Sequence, residues 1–458
     1  MKVIVCGAGQ VGWEIARHLA SERNEVTIVD SQPELVRRAT DALDVQGVVG
    51  FASYPNILER AGARDADMVI AATYSDEVNM VTCQVAHSVF GVTRKIARLR
   101  EQSYLNPRFS DLFRREHMPI DVIISPEREV SQAALKRIAY PEAFDVHEFF
   151  GGKALLIGLT LEENCAVLNT SLRQLSELFP SLRIMVAGVR RGKRLFAPEA
   201  EDQLYAGDSI YLLVDARDVA RTFEVFGKTP LQRDRVLIVG GGNVGLSVAR
   251  ILENQPVRVR VKVVERNRAR AEVAADALER SIVLNGDGMD GDLLEEAGIS
   301  KTDAVLLLTD DDRTNLLAAV RAKTLGAKLA ISLINDPGMV SLAGAMGIDA
   351  HINPRALTVS SILRHVRHGR VRSVYLLGDR EAEVIEAQVL GTSKLSNLRV
   401  RDIDFPEGAL LIGIMRAGEF MRPTGDIVLR EGDLVVIFSL TGDVPKVDEL
   451  LQVAVEFF

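Results

Sequence analysis

VIVCGAGQVGWEIARHLA, residues 3–20, and VLIVGGGNVGLSVARILE, residues 236–253, are two copies of one pattern. In each copy a short apolar run leads into the spacing GxGxxG and then into a helical pattern. In such a motif the first glycine permits a tight strand-to-helix turn, the second lets backbone approach a pyrophosphate, and the third allows close packing. The helix that follows presents unpaired N–H groups to phosphate. The repeat therefore predicts a duplicated nucleotide-binding chain.

An acidic residue ends the next apolar run in each copy. Asp30 lies 23 positions after Gly7, and Glu265 lies 25 positions after Gly240. A carboxylate at the end of the second strand can accept hydrogen bonds from adenosine ribose hydroxyls. It would also repel a ribose 2′-phosphate, which favours NAD over NADP. The alternative interpretation is an acid that only caps the following helix.

The repeat continues beyond the glycine motifs. ILERAGARDADMVIAAT, residues 57–73, matches LLEEAGISKTDAVLLLT, residues 293–309. Near-continuous apolar strands alternating with helices are typical of a parallel sheet that is covered on both faces. Right-handed crossovers then give a doubly wound sheet. The predicted fold class is α/β, with two tandem Rossmann-like doubly wound parallel-sheet domains, each followed by a small α+β domain.

Four domains follow from this pattern. The small domains are predicted from short apolar strands, one helical segment and a Gly-Asp turn before the last strand, at Gly207-Asp208 and Gly432-Asp433. A polar segment at 226–235 and a basic segment at 364–372 are predicted to be links. The predicted ranges are 1–124 and 232–350 for the nucleotide-binding domains, and 143–227 and 370–453 for the small domains.

Composition narrows the classes of function. The chain has 458 residues, 47% hydrophobic and 26% charged, with a formal net charge of −8. This balance argues against a protein built to bind nucleic acid, which is usually basic. No apolar stretch approaches the ~20 residues needed to span a bilayer, and no signal-peptide pattern is visible. We therefore expect a cytoplasmic protein whose membrane role, if it has one, comes through a partner.

The two copies differ where ligand contacts are expected. KIARLR in the first copy supplies Arg98 and Arg100, whereas KLAISLI in the second places Ser332 at the position matched to Arg98. An arginine at the crevice could pair with a phosphate through a bidentate fork. A solvated surface charge is the alternative. Further along, Asp287 offers an acceptor to an adenine amino group where Phe51 offers apolar contact, or each belongs to an ordinary turn.

No catalytic machinery is visible in the sequence. HExxH and GxSxG are absent, and the tripeptide GKT at 227–229 lacks the upstream glycine of the Walker-type spacing GxxxxGK[ST]. No histidine has a counterpart in the other copy. His365 and His368 stand three apart, but a solvated basic segment explains them better than a metal site. The odd count of three cysteines argues against a disulfide framework. We expect no enzyme activity and no metal site; the alternative is an NAD-dependent oxidoreductase with an unrecognised substrate site.

These features together resemble the TrkA family of bacterial potassium-uptake regulatory subunits. The resemblance is carried by GAGQVG with Asp30, the segments AATY at 71–74 and IAR at 96–98, and GDGMD at 286–290. It covers essentially the whole chain, including the duplication. It implies domains of the type that regulates conductance of potassium, which assemble into rings of eight, so four chains (a homotetramer) would suffice.

The resemblance also implies ligands, a partner and a location. The ligands are NAD(H) and adenine nucleotides such as ATP and ADP, bound without conversion. The partner is an integral membrane potassium channel or transporter subunit of the Trk type, with the regulator on the cytoplasmic face of the inner membrane. The residues carried over are Gly7, Ala8, Gly9, Gln10, Val11, Asp30, Thr73, Tyr74 and Arg98 in the first copy, and Gly240, Gly241, Gly242, Asn243, Val244, Glu265, Thr309 and Asp310 in the second.

Overall fold

The computed structural model describes residues 1–21, 24–228, 234–255, 259–366, 371–377 and 381–451. The described residues group into two compact units, each built from two separate stretches of the chain. The described parts of Met1–Leu135 and Asp234–His365 form the first unit, and those of Lys136–Arg233 and Val366–Phe458 form the second. The sequence repeat did not predict this grouping, because each unit takes like domains from the two copies.

Two parallel six-stranded sheets form the framework of the first unit, and both have the strand order 3-2-1-4-5-6. This is the Rossmann order, with its switch point between the first and fourth strands. The first sheet contains β1 (Lys2–Cys6), β2 (Glu25–Asp30), β3 (Gln46–Val49), β4 (Met68–Ala71), β5 (Arg94–Arg98) and β6 (Val122–Ile124). Its helices are α1 (Gln10–Ser21), α2 (Pro33–Ala42), α3 (Pro55–Arg60), α4 (Asp76–Ser88) and α5 (Pro126–Ala139).

The second copy repeats this arrangement, except that a helix lies between its fifth and sixth strands where the first copy has short 3-10 segments. To keep chain order, its strands are numbered β12–β17 and its helices α8–α13. The strands are β12 (Arg235–Val239), β13 (Arg260–Glu265), β14 (Ile282–Asn285), β15 (Ala304–Leu307), β16 (Leu329–Leu333) and β17 (Ala350–Ile352). The helices are α8 (Asn243–Glu253), α9 (Arg268–Ala277), α10 (Gly291–Glu296), α11 (Asp312–Thr324), α12 (Pro337–Ala345) and α13 (Pro354–Val366). The doubly wound fold class is thereby confirmed for both copies.

The second unit contains two antiparallel five-stranded sheets with matching strand orders, β10-β9-β11-β8-β7 and β18-β19-β22-β20-β21 read from opposite edges. The first sheet has β7 (Asp145–Phe149), β8 (Ala154–Thr160), β9 (Ile184–Arg191), β10 (Arg194–Phe196) and β11 (Ser209–Asp215), with α6 (Leu172–Leu178) and α7 (Val219–Val225). The second has β18 (Val371–Leu377), β19 (Ala382–Gln388), β20 (Ala409–Arg416), β21 (Glu419–Met421) and β22 (Leu434–Leu440), with α14 (Val444–Leu451).

Each small sheet is buried on both faces. In β8, Leu155 and Ile157 pack with α6 and α7, whereas Leu156 faces a core shared with the second small sheet. That shared core includes Phe438 of β22. Because neighbouring residues in a strand point to opposite faces, a strand covered on both sides reads as a continuous apolar run. This explains why the sequence of β8 showed no alternation.

The predicted links and boundaries need adjustment. The first three residues of the segment 364–372 complete α13, and its last two begin β18, so much of this predicted link is regular structure. Residues 367–370 of that segment, and 229–233 of the predicted link at 226–235, lie outside the described residues. The parallel sheet of the second copy ends at Ile352, two residues past the predicted boundary at 350.

Across the described ranges, no helix is both long and apolar enough to cross a membrane.

Candidate functional site

Glycine is required at the turn that opens each site. Gly7 and Gly240 have φ angles of +106° and +109°, which side chains of L residues rarely adopt. A Cβ atom on Gly12 would lie 1.7 Å from the Gly7 carbonyl oxygen, and one on Gly245 would lie 1.9 Å from the Gly240 carbonyl oxygen. The third glycine of the motif therefore makes room for the turn made by the first.

The middle glycine of each motif faces open space. An added Cβ atom on Gly9 or Gly242 would meet no atom within 4 Å. The helices α1 and α8 begin directly after these residues, at Gln10 and Asn243. Their first N–H groups have no partner within the helix and carry partial positive charge. This geometry suits a phosphate that lies against exposed backbone.

The acids at the second strands are held by the glycine turns. The Asp30 carboxylate accepts hydrogen bonds from the Ala8 N–H at 2.6 Å and the Gln32 N–H at 2.9 Å. The Glu265 carboxylate accepts hydrogen bonds from the Gly241 N–H at 2.7 Å and the Asn267 N–H at 2.8 Å. A carboxylate has about four acceptor positions, so capacity remains for ribose hydroxyls. Each acid orients its glycine turn as well as facing the site, which goes beyond capping a helix.

An asparagine joins the ends of the fourth and fifth strands in the first copy. The buried Asn79 side-chain oxygen accepts from the Thr73 N–H at 2.9 Å and the Thr73 hydroxyl at 2.7 Å. The same side chain donates to the carbonyl oxygens of Thr73 at 3.2 Å and Arg98 at 2.8 Å. Asn79 thereby sets the distance between two residues that the sequence had placed in the site.

The same network in the second copy corrects one sequence correspondence. Asn315 bonds the backbone of Thr309 in the same way and donates to the carbonyl oxygen of Leu333 at 2.9 Å. The counterpart of Arg98 is therefore Leu333, and Ser332 is one residue too early. Ser332 is fully buried in β16. The predicted asymmetry between the copies remains: the first has the charged Arg98, and neither Ser332 nor Leu333 in the second carries a charge.

The guanidinium of Arg98 is partly buried, and within the described residues its Nε has no hydrogen-bond partner. Burial, followed by the positive charge of Arg100, lowers the pKa of Arg98. Burial also disfavours the charged form of Arg100, but the hydrogen bond and charge of Glu127 outweigh this effect and raise its pKa. A partly buried guanidinium with an unpaired Nε can bind an anionic ligand group through a charge-assisted hydrogen bond.

Tyr74 provides an exposed aromatic ring beside these arginines. Its side chain is 84% exposed, and the Arg100 guanidinium carbon lies 5.4 Å from the ring centroid. A ring with one open face can stack on a planar ligand group, and the arginine on the ring holds it in place.

Both copies open into a single cavity of about 990 Å³ within the first unit. Of the sequence-predicted residues, Ala8 and Gly241 are absent from its lining; their N–H groups bond the two acids. The others all line it: Gly7, Gly9, Gln10, Val11, Asp30, Thr73, Tyr74, Arg98, Gly240, Gly242, Asn243, Val244, Glu265, Thr309 and Asp310. Phe51 and Asp287, predicted as alternative adenine contacts, line it as well. The sequence had treated the two sites as separate.

Several cavity residues were missed by sequence reasoning. Pro126 and Glu127 begin α5, and Pro354 and Arg355 begin α13, at equivalent points of the two copies. Both pairs follow the sixth strand of their sheets. The repeated proline was a usable signal, because proline favours the first position of a helix. The opposite charges of Glu127 and Arg355 add a second difference between the copies.

The remaining polar candidates do not form a site. In the part of the chain that the structure describes, no group of three histidine, cysteine or acidic residues could hold a metal ion. The Nδ1 atom of His365 lies 2.8 Å from the Ser361 carbonyl oxygen, and His368 lies outside the described residues. Cys6, Cys83 and Cys165 are free and buried.

Two Rossmann folds with paired glycine turns and ribose-side acids, together with two small α+β domains, define a tandem nucleotide-binding type of protein. The chain belongs to the TrkA family. Residues 3–126 and 236–354 match the TrkA-N domain. Residues 156–227 and 384–452 match the TrkA-C domain.

Full-length relatives share this organisation. The chain is 47% identical to the Trk system potassium uptake protein TrkA of Azorhizobium caulinodans, covering 100% of both sequences. It is 38% identical to the protein of the same name in Halomonas elongata, again over 100% of both. Among solved structures, the GsuK RCK domain superposes with a TM-score of 0.60 at 16% identity, covering 98% of this chain and 94% of that one. The structure described as the GsuK channel bound to NAD gives 0.60 at 16% identity, covering 98% and 78%. At this identity the likeness concerns the fold.

Proposed function

We propose that this chain is the nucleotide-sensing regulatory subunit of a Trk-type potassium uptake system. It binds NAD(H), and ATP or ADP as a second ligand class, without converting them. The observation that best supports the proposal is the single cavity into which both glycine turns open. The partly buried Arg98 lines this cavity, and its Nε has no acceptor among the described residues. The names of the full-length relatives and the NAD-bound GsuK structure support the proposal.

The regulator acts by favouring one conformation of an assembly. A ligand can shift a conformational equilibrium only by its differential affinity for the two states. A tenfold preference supplies about 1.4 kcal/mol per site. We propose a ring of four chains, which brings together eight Rossmann domains, so that several small preferences add. The ring transmits the bias to an integral membrane potassium channel or transporter subunit, from the cytoplasmic face of the inner membrane.

Binding without turnover fits the chemistry of the cavity. Among the described residues that line it, none is a histidine, cysteine or lysine. Hydride transfer would need a proton donor placed beside a substrate pocket. The acids Asp30 and Glu265 are engaged by backbone N–H groups. An oxidoreductase remains the second candidate, and sustained oxidation of NADH with a supplied substrate would favour it.

Calorimetry on the full chain tests ligand binding. NADH, ATP and ADP are titrated into the wild type and into Arg98→Ala, with Arg38→Ala as the matched control on the exposed face of α2. We expect Arg98→Ala to weaken binding at the first site by about tenfold or more, because a charge-assisted hydrogen bond contributes about 1.5–3 kcal/mol. Arg38→Ala should bind as the wild type does. Absence of binding by all three nucleotides would overturn the proposal.

Ion flux tests the regulatory step. The chain is purified together with its membrane partner, and potassium flux into liposomes is measured with and without each nucleotide. A nucleotide-dependent flux that Arg98→Ala reduces and Arg38→Ala retains is the expected result. Flux that is indifferent to the regulator and to nucleotide would contradict the gating role while leaving ligand binding intact.

A further inference from the structure

The two copies differ at the edge of the cavity where the ribose-side acid lies. Arg266 follows Glu265 directly, and Arg270 lies in the first turn of α9; both line the cavity. The Arg270 Nε lies 3.6 Å from a Glu265 carboxylate oxygen. The Arg270 guanidinium therefore lies beside the carboxylate that was expected to repel a ribose 2′-phosphate, and Arg266 adds a second arginine to the lining of the same cavity.

Hydrogen bonds identify the matching residues in the first copy. The Gly50 N–H donates to the Asp30 carbonyl oxygen, just as the Gly286 N–H donates to the Glu265 carbonyl oxygen. Counting from these acids, Arg266 and Arg270 correspond to Ser31 and Leu35. The first copy thus has a carboxylate with no arginine at these two positions.

The formal charge at this edge of the cavity also differs between the two copies. At the compared positions the first copy carries −1, and the second is neutral because its two arginines balance two acids. The compared positions are Asp30, Ser31, Leu35 and Phe51 in the first copy, and Glu265, Arg266, Arg270 and Asp287 in the second.

The carboxylate of the second copy is also withdrawn from the surface. The Glu265 side chain is 7% exposed, whereas that of Arg270 is 59% exposed. The Glu265 oxygens accept from the Gly241 N–H at 2.7 Å and the Asn267 N–H at 2.8 Å. Asp30 of the first copy is only partly buried. A ligand that approaches this edge of the second copy therefore meets guanidinium groups before it meets the acid.

We propose that Arg266 and Arg270 make the second copy a site for an adenine dinucleotide with a ribose 2′-phosphate, the NADP(H) class. The first copy keeps its preference for the unphosphorylated ribose. Arginine near the ribose-side acid is the usual way in which this fold accommodates a 2′-phosphate, and its planar fork matches phosphate oxygens. The proposal rests on the proposed nucleotide binding and departs, for the second copy, from the expectation that Glu265 selects against the phosphate.

Calorimetry with NADPH and NADH on the full chain tests this assignment. The double variant Arg266→Ser/Arg270→Leu installs the residues of the first copy. Arg268→Leu is the control, because Arg268 is on the same helix, pairs with Glu272 at 3.0 Å and does not line the cavity. We expect the double variant to weaken NADPH binding by about 30-fold or more and to change NADH binding less than about twofold, since two charge-assisted contacts are lost.

The reciprocal variant Ser31→Arg/Leu35→Arg should increase the affinity of the first site for NADPH. NADPH affinity that is unchanged in Arg266→Ser/Arg270→Leu, or NADH binding to a chain that does not bind NADPH, would overturn the proposal while nucleotide sensing stands. A chain that binds none of NADPH, NADH, ATP and ADP would overturn both.

Discussion

The side-chain amide of Asn79 donates a hydrogen bond to the main-chain carbonyl oxygen of Arg98 at 2.8 Å, across two neighbouring strand ends. Asn79 is fully buried, and its other side-chain hydrogen bonds all join it to Thr73. Asn79→Leu keeps the approximate volume but leaves several buried groups unpaired, each at about 1–3 kcal/mol. We expect the free energy of unfolding of the first copy to fall by about 3 kcal/mol, measured by urea denaturation.

Asn315→Leu is the matched variant in the second copy, because Asn315 makes the equivalent bonds there. It should cost a similar amount of stability. Only Asn79→Leu should weaken the ligand contact made by Arg98. Equal loss of first-site nucleotide binding in both variants would show that the Asn79–Arg98 bond does not set that contact.

The glycines of the first motif should respond differently to one added methyl group. Gly12→Ala places a Cβ atom 1.7 Å from the Gly7 carbonyl oxygen, so the turn must shift. We expect a loss of about 3 kcal/mol in the free energy of unfolding, at the upper end for overpacking. Gly9→Ala meets no atom within 4 Å and should fold normally. Its methyl group faces the approach to phosphate, so calorimetry should show NADH binding weakened about tenfold or more. Normal NADH affinity in Gly9→Ala would place the pyrophosphate elsewhere.

Asp433 should stabilise the second small domain above acidic pH. Its buried carboxylate accepts two hydrogen bonds from Arg416, at 2.8 and 2.7 Å. Burial alone would raise its pKa, but the Arg416 bonds and the Arg430 N–H lower it. A lowered pKa means stability that is present above the ordinary aspartate pKa of about 4 and is lost as pH falls through the folded-state value.

Asp433→Asn should therefore lower the free energy of unfolding at neutral pH by about 2 kcal/mol and flatten its acid dependence. Denaturant midpoints from pH 7 to pH 3 measure both effects. Asp426→Asn is the control, because Asp426 pairs with Arg401 at the surface and its side chain is 80% exposed. A wild-type acid profile in Asp433→Asn would remove this residue from the pH response.

Asp145 should have the opposite effect on the pH dependence of stability: its contribution should be lost as pH rises. Its carboxyl group accepts the Tyr375 hydroxyl at 2.7 Å, in the unit formed by the two small sheets. Burial raises its pKa despite the opposing charge of Arg137 and the tyrosine hydrogen bond. A raised pKa means stability that is present below the ordinary value and is lost as pH rises through the folded-state value.

Asp145→Asn keeps an acceptor for Tyr375 without the buried charge. We expect the free energy of unfolding at neutral pH to rise, on the order of 1 kcal/mol, with no gain at low pH. Glu148→Gln is the control, because the Glu148 side chain is half exposed and its carboxylate pairs with Lys136. A lower free energy of unfolding for Asp145→Asn at neutral pH would contradict this prediction, because it would mean that the Asp145 charge stabilises the fold.

Local patterns were sufficient to predict the two Rossmann folds, and most of the site residues predicted from them line the cavity. The glycine spacing and the acids at the second strands depend on short-range geometry, so Gly7, Asp30 and their counterparts could be read directly. The position matched to Arg98 could not, because the register between β15 and β16 is set by pairing across the sheet. The Asn315 bond to Leu333 fixes that register by contact, and sequence alone placed it one residue early.

The grouping of like domains lay beyond sequence reasoning for another reason. The continuous apolar run of β8 indicates burial on both faces but carries no information on what covers the second face. Gly413 of β20 shows the missing element: a Cβ atom there would lie 2.4 Å from the Leu213 side chain of β11. Such complementarity depends on two surfaces that are about 200 residues apart in the chain. The cavity shared by both copies was missed because it, too, is formed by distant segments.

The shared cavity has a further consequence for how this protein can change. If the same cavity were formed by two identical single-copy chains, every substitution would appear on both sides at once. Here each side is encoded separately, so the first copy can have Arg98 where the second has Leu333, and Ser31 where the second has Arg266. Because the two copies are covalently linked, every molecule contains one copy of each kind, whatever the protein concentration. Duplication within one gene thus frees the two halves from the symmetry that a homodimer would impose.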